Sequence, residues 1–266
     1  MNTSPSTFPN LCKQWRQRRH LSQLHLAETA AISQRHLSWL ETGRSQPSRE
    51  MVLKLADAME VPLRERNTLL NAAGFAPQYL ESRLEEPHMA PVGEALTAIL
   101  EHHMPFPAVV VNRKWDRMMA NAAADLMFSL VDTNSGQAET KEAFNLAEAT
   151  LAPHGLRRYI TNWETALPMF VNRLRSEALA SGETSTIAHV EALIRGAGEL
   201  PDNPPAPEPL LPVMPLELDI DGLQLSLFTV MSTFGTPQDI TTDELRIEAF
   251  YPANDATRSF FEGTKE

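Results

Sequence analysis

Cysteine is nearly absent from this chain. Cys12 stands alone among 266 residues, which excludes an internal disulfide framework and any zinc site built from several thiolates. Long apolar runs are missing too. None approaches the ~18 residues that span a bilayer, and the opening MNTSPSTFPNLCKQWRQRR lacks the apolar centre of a signal peptide. The chain is expected to be cytoplasmic, with no membrane partner. Signatures of common enzyme chemistry are also lacking: no Walker loop, no GxGxxG after a strand, no GxSxG and no HExxH occurs. His102 and His103 are adjacent, so a helix points them about 100° apart and they form no two-ligand face. His154 and His189 are isolated, and the acidic pairs Glu85-Glu86 and Asp243-Glu244 read as solvated turns and helix starts. No catalysis, metal or resident cofactor is expected.

What is present begins with an uneven charge distribution. The net charge of −11 argues against a nucleic-acid partner, but residues 1–80 hold 10 Lys and Arg against 6 Asp and Glu, with three histidines besides. Residues 81–266 hold 13 against 28. A basic first third fused to an acidic remainder is the asymmetry of a chain in which one domain meets phosphates and the other does not. A solvated charge fluctuation gives the same balance, so the motif has to decide. Length favours two domains, and 42% hydrophobic residues supply a core for each.

The first domain reads as five short helices. Asn10–Arg19 carries Leu11 and Trp15 on one face, and Ser22 caps a second helix that runs to Ala30. Ser33 caps a third, which stops at Gly43; Pro47-Ser48 opens Arg49–Met59, and Pro62 opens a fifth helix closing at Gly74. Leu26, Ala27, Ile32, Leu37, Leu40, Val52, Leu55, Ala56, Leu69 and Leu70 recur at helical spacing as the expected core.

Within it, LSQLHLAETAAISQRHLSWLETGRSQPS resembles the lambda-repressor-like helix-turn-helix domains, also called the xenobiotic-response-element family. The resemblance rests on Ser22-Gln23, Leu26-Ala27, Ile32-Ser33, Leu40-Glu41-Thr42-Gly43-Arg44 and Pro47-Ser48. Two positions depart from it. Ala31 stands where the turn between helices usually has glycine, at a cost of roughly 1 kcal/mol if the left-handed conformation is kept; His25 replaces the capping-box glutamate.

The resemblance implies a third helix lying in the major groove of operator DNA. Ser33, Gln34, Arg35 and His36 lead it, with Ser38 and Trp39 further along. Arg35 has the fork for guanine and Gln34 the amide for adenine. Trp39 either packs against the first helix or meets a thymine methyl. Gln23, Arg44 and Arg49 fall where the family contacts phosphates. One such domain covers a half-site, so a homodimer on a pseudo-palindrome is expected. Rival readings are a helical domain used for protein docking, and a redox sensor in which Lys13 and Arg16 lower the pKa of Cys12.

YLESRLEEPH (79–88) ends the helical pattern, giving a DNA-binding domain over 8–80, a linker over 81–90 and a second domain over 91–266. The second domain mixes helix and strand. Helices are expected at Pro91–His103, Lys114–Phe128, within Leu156–Ser181, at Glu183–Ile194 and at Asp255–Phe261. Strands are expected at Ala108–Asn112, Leu216–Asp221, Leu223–Thr233 and Glu244–Tyr251, with Asp221-Gly222 as a hairpin turn. Pro201–Pro215 carries seven prolines.

FPAVVVNRKWDRMMANAAA (106–124), HGLRRYITNWETA (154–166) and FGTPQDITTDELRIEAFYPANDATRSFF (234–261) are similar to the MmyB-like regulators. That resemblance implies a multidomain protein: an all-α five-helix helix-turn-helix domain followed by an α+β PAS-like sensor, a sheet packed on one face by helices. It also implies a cavity for an apolar effector such as a fatty acid, and a transcription regulator, with repression the commoner sign. An apolar tail needs flexible and aromatic lining. The candidates are Trp115, Met118, Met119, Met127, Phe128, Trp163, Met169, Phe170, Phe228, Met231 and Phe250, most of which serve equally as core. Arg158 heads the choices for a carboxylate seat, beside Arg113 and Arg173. Asn112, Asn121 and Asn162 either orient a ligand or cap turns.

Overall fold

The structure is a computed structural model that describes residues 7–131, 144–198 and 212–263. Two compact units emerge. One ends at Ser82 and takes in Thr236–Asp243; the other runs from Arg83 to Gly235 and resumes at Glu244.

The first unit holds α1 (Phe8–Arg18), α2 (Gln23–Thr29), α3 (Gln34–Glu41), α4 (Arg49–Ala58) and α5 (Leu63–Ala72). Three of them start alike: Ser22, Ser33 and Ser48 each sit in extended backbone and accept from the amide three residues on, at 3.0, 3.1 and 3.2 Å. Each cap satisfies an orphan N–H, for about 1 kcal/mol. Gly43 and Gly74 end α3 and α5 with φ of 72° and 85°, where a Cβ is penalised. Ala31 closes the turn after α2 with φ 46°, so alanine holds the left-handed conformation that glycine holds in the resembling domains. The expected core residues are buried, except Ile32, which packs against them half-buried. Phe8, Cys12, Trp15, Ala30, Met59 and Val61 complete that core.

α5 has no cap of its own, because Pro62 precedes it. The Leu63 amide donates instead to the Asp243 carboxylate at 3.1 Å. Around it, the Ile240 amide donates to Leu80 O at 2.8 Å, Thr241 Oγ1 to Ser82 O at 2.7 Å, and Ser82 Oγ to Asp239 at 2.7 Å. The expected division into 8–80 and 91–266 leaves this strap with the second domain, whereas it groups with the first unit, to which these hydrogen bonds tie it.

In the second unit α6 (Ala90–His102) leads into β1 (Ala108–Val111), β2 (Arg117–Ala120), α7 (Ala122–Leu130), α8 (Leu146–Leu151), α9 (Trp163–Ser181) and α10 (Thr184–Gly196). Then follow β3 (Leu216–Ile220), β4 (Leu223–Ser232), the short α11 (Ile240–Glu244, shared with the strap), β5 (Arg246–Pro252) and α12 (Asp255–Gly263). The strands form one antiparallel sheet in the order β2-β1-β5-β4-β3. Asp221 and Gly222, with φ of 51° and 92°, make the expected hairpin turn between β3 and β4. Most of the proline-rich stretch lies outside the described residues. Among the described residues, no helix is long and apolar enough to cross a membrane.

Three expectations are corrected. Lys114–Phe128 is not one helix. Asn112 Oδ1 accepts from the Lys114 and Asp116 amides at 2.8 and 2.9 Å, Trp115 turns left-handed at φ 70°, and the chain doubles back as β2 before Asn121 caps α7. α8, capped by Asn145, was not anticipated. The sheet is also covered on both faces. β1 shows why: Val109 and Val111 enter the cluster shared with α7–α10, while Ala108 and Val110 enter a second cluster with Leu96 and Leu100 of α6.

Candidate functional site

α3 presents Gln34, Arg35 and Trp39 to solvent while Leu37 and Leu40 face the core. The Arg35 guanidinium lies over the Trp39 ring, Cζ to centroid 4.5 Å, the i,i+4 neighbour on a helix. Trp39 is 38% exposed, and its ring serves as a platform for Arg35. His36 and Ser38 are half-buried beside them, and Ser33 spends its Oγ on the cap. Arg44 is exposed after α3.

Two expected phosphate contacts are held inside the unit. Gln23 Nε2 donates to Glu41 Oε2 at 2.8 Å, and Arg49 donates to Ala76 O and Gln78 Oε1 at 3.0 and 3.2 Å. Glu41 is itself buried and forked by Arg16, Nε to Oε1 at 2.6 Å and Nη2 to Oε2 at 3.0 Å. That pairing raises the Arg16 pKa.

Cys12 belongs to the same core, fully buried. Burial, reinforced by Glu41 and opposed by Arg16, pushes its thiol up to about 12. The expected lowering by neighbouring cations is therefore reversed, and the redox reading loses its reactive thiolate.

In the second unit a cavity of about 210 Å³ (space open to the centres of water-sized molecules) lies between the sheet and the helices α7–α9. α9 lines it with Trp163, Leu167, Met169, Phe170 and Arg173, α7 with Met127 and Phe128, and α8 with Leu146 and Thr150. Leu216 and Leu218 of β3, Leu227 and Thr229 of β4, and Glu248 and Phe250 of β5 form the opposite wall. Trp115 reaches in from the β1–β2 turn, its ring edge-on to Phe170 at 5.5 Å.

Of the residues expected to line a pocket, the structure brings together Trp115, Met127, Phe128, Trp163, Met169, Phe170 and Phe250. Met118 and Met231, both 42% exposed, do not line it. Met119 packs with the α6 cluster on the other side of the sheet. Phe228 points away by strand alternation and stacks on Tyr251 at 5.6 Å.

Arg158 is exposed beside Tyr159 and lines a separate shallow hollow with Arg157. Arg113 is tied to Glu183 and Glu244 at 3.4 and 2.9 Å. Arg173 is the cation that reaches the cavity. The three asparagines are structural. Asn112 shapes its turn, Asn121 joins Ala108, Ala124, Leu100 and Phe106, and Asn162 holds Pro215 and Glu217.

Glu248 is the charged lining residue that sequence reading missed, along with apolar ones such as Leu167, Leu218 and Leu227. It shares a face of β5 with Phe250, so strand alternation alone places a carboxylate against the cavity. Arg173 Nη1 donates to its Oε2 at 3.2 Å and Nη2 to its Oε1. Burial raises the Glu248 pKa above the ordinary carboxylate value, against the lowering pull of Arg173.

Residues 92–262 match the family model described as the MmyB-like transcription regulator ligand binding domain, and residues 12–69 match one described as a helix-turn-helix domain. Neither family is enzymatic. Among curated proteins, none matches the chain.

Proposed function

The chain belongs to the MmyB-like transcription regulators, and from that premise we propose that it represses promoters as an operator-bound homodimer whose DNA affinity is set by an apolar effector. The observation that carries this reading is the cavity. Protein interiors pack as tightly as organic crystals, with few voids larger than a water. An apolar space of about 210 Å³ between the sheet and the helices is the form a ligand site takes. Its mostly apolar and aromatic lining suits an alkyl chain, as in a fatty acid or a similar apolar effector. Met127, Met169 and Met214 give the wall adaptable side chains.

In the DNA-binding unit, Gln34 and Arg35 are the base-reading residues, with Trp39 holding Arg35 and Arg44 meeting phosphate. One α3 covers one half-site, so a two-fold dimer matches a pseudo-palindromic operator. The protein acts in the cytoplasm, releases its effector unchanged and needs no resident cofactor. Protein docking by the helical unit has no observation of its own in its favour.

The test is direct. Native and denaturing mass spectrometry of the purified protein identifies any molecule it carries, and operator fragments selected from genomic DNA are then titrated with and without that molecule. A change of about 5- to 150-fold in operator affinity is expected, the usual range of allosteric coupling. Equal affinity in the two states overturns effector control. DNA binding that ignores salt overturns phosphate recognition.

A further inference from the structure

The polar end of the cavity is already occupied by protein. Arg173 gives one arm of its fork to each oxygen of Glu248 and its Nε to Glu177 Oε1 at 2.9 Å. Nη2 also meets Met231 Sδ at 3.2 Å, and the guanidinium plane lies on Trp115, Cζ to centroid 4.8 Å. A guanidinium has five N–H donors, and these contacts leave Arg173 with a single one to offer. Its charge is shared between two carboxylates. Arg246, two residues along β5, acts on Glu248 more weakly and does not line the cavity.

Glu248 is in the opposite position. It is 1% exposed, it lines the cavity, and among the described residues its hydrogen bonds come from Arg173 alone, one to each oxygen. Each carboxylate oxygen accepts a second donor. What the cavity offers a polar head at Glu248 is therefore an acceptor. A carboxylate arriving there meets a fork already filled and a like charge behind it, whereas a hydroxyl or ammonium completes Glu248 without displacing anything.

Resting on the reading of this cavity as the effector site, we propose that the effector ends in a hydrogen-bond donor, an alcohol or protonated amine on an alkyl chain, seated on Glu248. A free carboxylate is the disfavoured head. Arg173 is a positioning residue that orients Glu248 rather than a seat for the ligand.

Three probes of one chain length decide it: 1-dodecanol, dodecylammonium and dodecanoate, each titrated below its micelle-forming concentration into the full chain and followed by the fluorescence of Trp115 and Trp163. The donor-headed probes are expected to bind at least tenfold more tightly than dodecanoate. Which of the two leads separates a charged from a neutral donor. Glu248→Gln, with folding checked by circular dichroism, is expected to narrow the dodecylammonium-to-dodecanoate ratio at least tenfold. If that variant does not fold, the wild-type ratio decides by itself. Dodecanoate binding as tightly as the donor-headed probes overturns the head-group assignment but leaves the cavity reading standing, as does an unchanged ratio in Glu248→Gln. Binding of none of the three overturns both.

Discussion

Arg16 and Glu41, 25 residues apart in the chain, meet as a two-pronged ion pair at the junction of α1 and α3, with Gln23 of α2 donating to the same carboxylate. The pair fixes the two helices of the helix-turn-helix against α1. Because Glu41 is almost entirely enclosed, removing its partner strands a charge. Arg16→Ala is expected to cost about 3–5 kcal/mol, the range for breaking a buried pair. Glu41→Gln, which keeps a hydrogen-bonding group in place, is expected to cost less. Urea unfolding followed by Trp15 fluorescence measures both, and a cost below about 1 kcal/mol for Arg16→Ala shows the pair to be solvated.

Ala31 offers a gain instead. It is exposed and holds φ 46°. Ala31→Gly relieves left-handed strain of roughly 1 kcal/mol, from which the extra freedom of glycine in the unfolded chain subtracts. A net rise of a few tenths of a kcal/mol is expected in thermal unfolding, and a fall shows the strain to be smaller than that entropy.

On the exposed side of α3, Trp39 and Arg35 are expected to act together in reading DNA. Arg35→Ala should cost about 1–3 kcal/mol and relax discrimination at one operator position. Trp39→Ala removes the platform, so it should weaken the same position and lose most of its effect when Arg35 is already alanine. A double-mutant cycle on selected operator fragments checks this; additive losses separate the two residues.

Cys12 should be silent to thiol reagents in the native state. With its pKa near 12, the thiolate fraction at pH 8 is negligible, and burial closes access. Labelling is expected only on unfolding. Rapid labelling of folded protein restores the redox reading.

For Glu248 the pH dependence has a definite sign. Its folded-state pKa is raised by burial against the pull of Arg173, with Glu177 adding to the rise and Arg246 opposing it. The folded protein therefore binds this proton more readily than the unfolded chain does. The associated stability is complete below the ordinary value of 4.5 and is lost as pH rises through the folded value. Relative to Glu248→Gln, the wild-type chain should lose ground from pH 4 toward neutrality in urea titrations. An advantage that grows with pH shows Arg173 to be the stronger influence.

Much of the first unit was legible because its signals are local. The serines before α2, α3 and α4 and the glycines after α3 and α5 need only neighbouring residues, and the core follows helical spacing. The Arg16–Glu41 pair was not, since nothing in either segment names a partner 25 residues away. In the second unit the hairpin at Asp221-Gly222 was readable, but KWDRMMANAAA carries helical spacing over a stretch that Asn112 and Trp115 fold back on itself. α8, six residues long, is too short for a period to show. For the cavity, composition supplied the right residue types and not their side of the sheet. Phe228 lies between Leu227 and Thr229 and so faces the other way, and Glu248, placed inward by the same alternation, has no apolar character to attract notice.

The strap has a practical consequence for anyone recombining members of this family. The chain passes between its two units three times, at Ser82, at Gly235 and at Asp243, so the DNA-binding half is not a cassette. Severed after Ser82, it loses the carboxylate that holds the Leu63 amide and the partners of Ser82. A chimaera that exchanges operator specificity has to transplant residues 236–243 along with the first 82, or it will pair one parent's α5 with the other parent's cap.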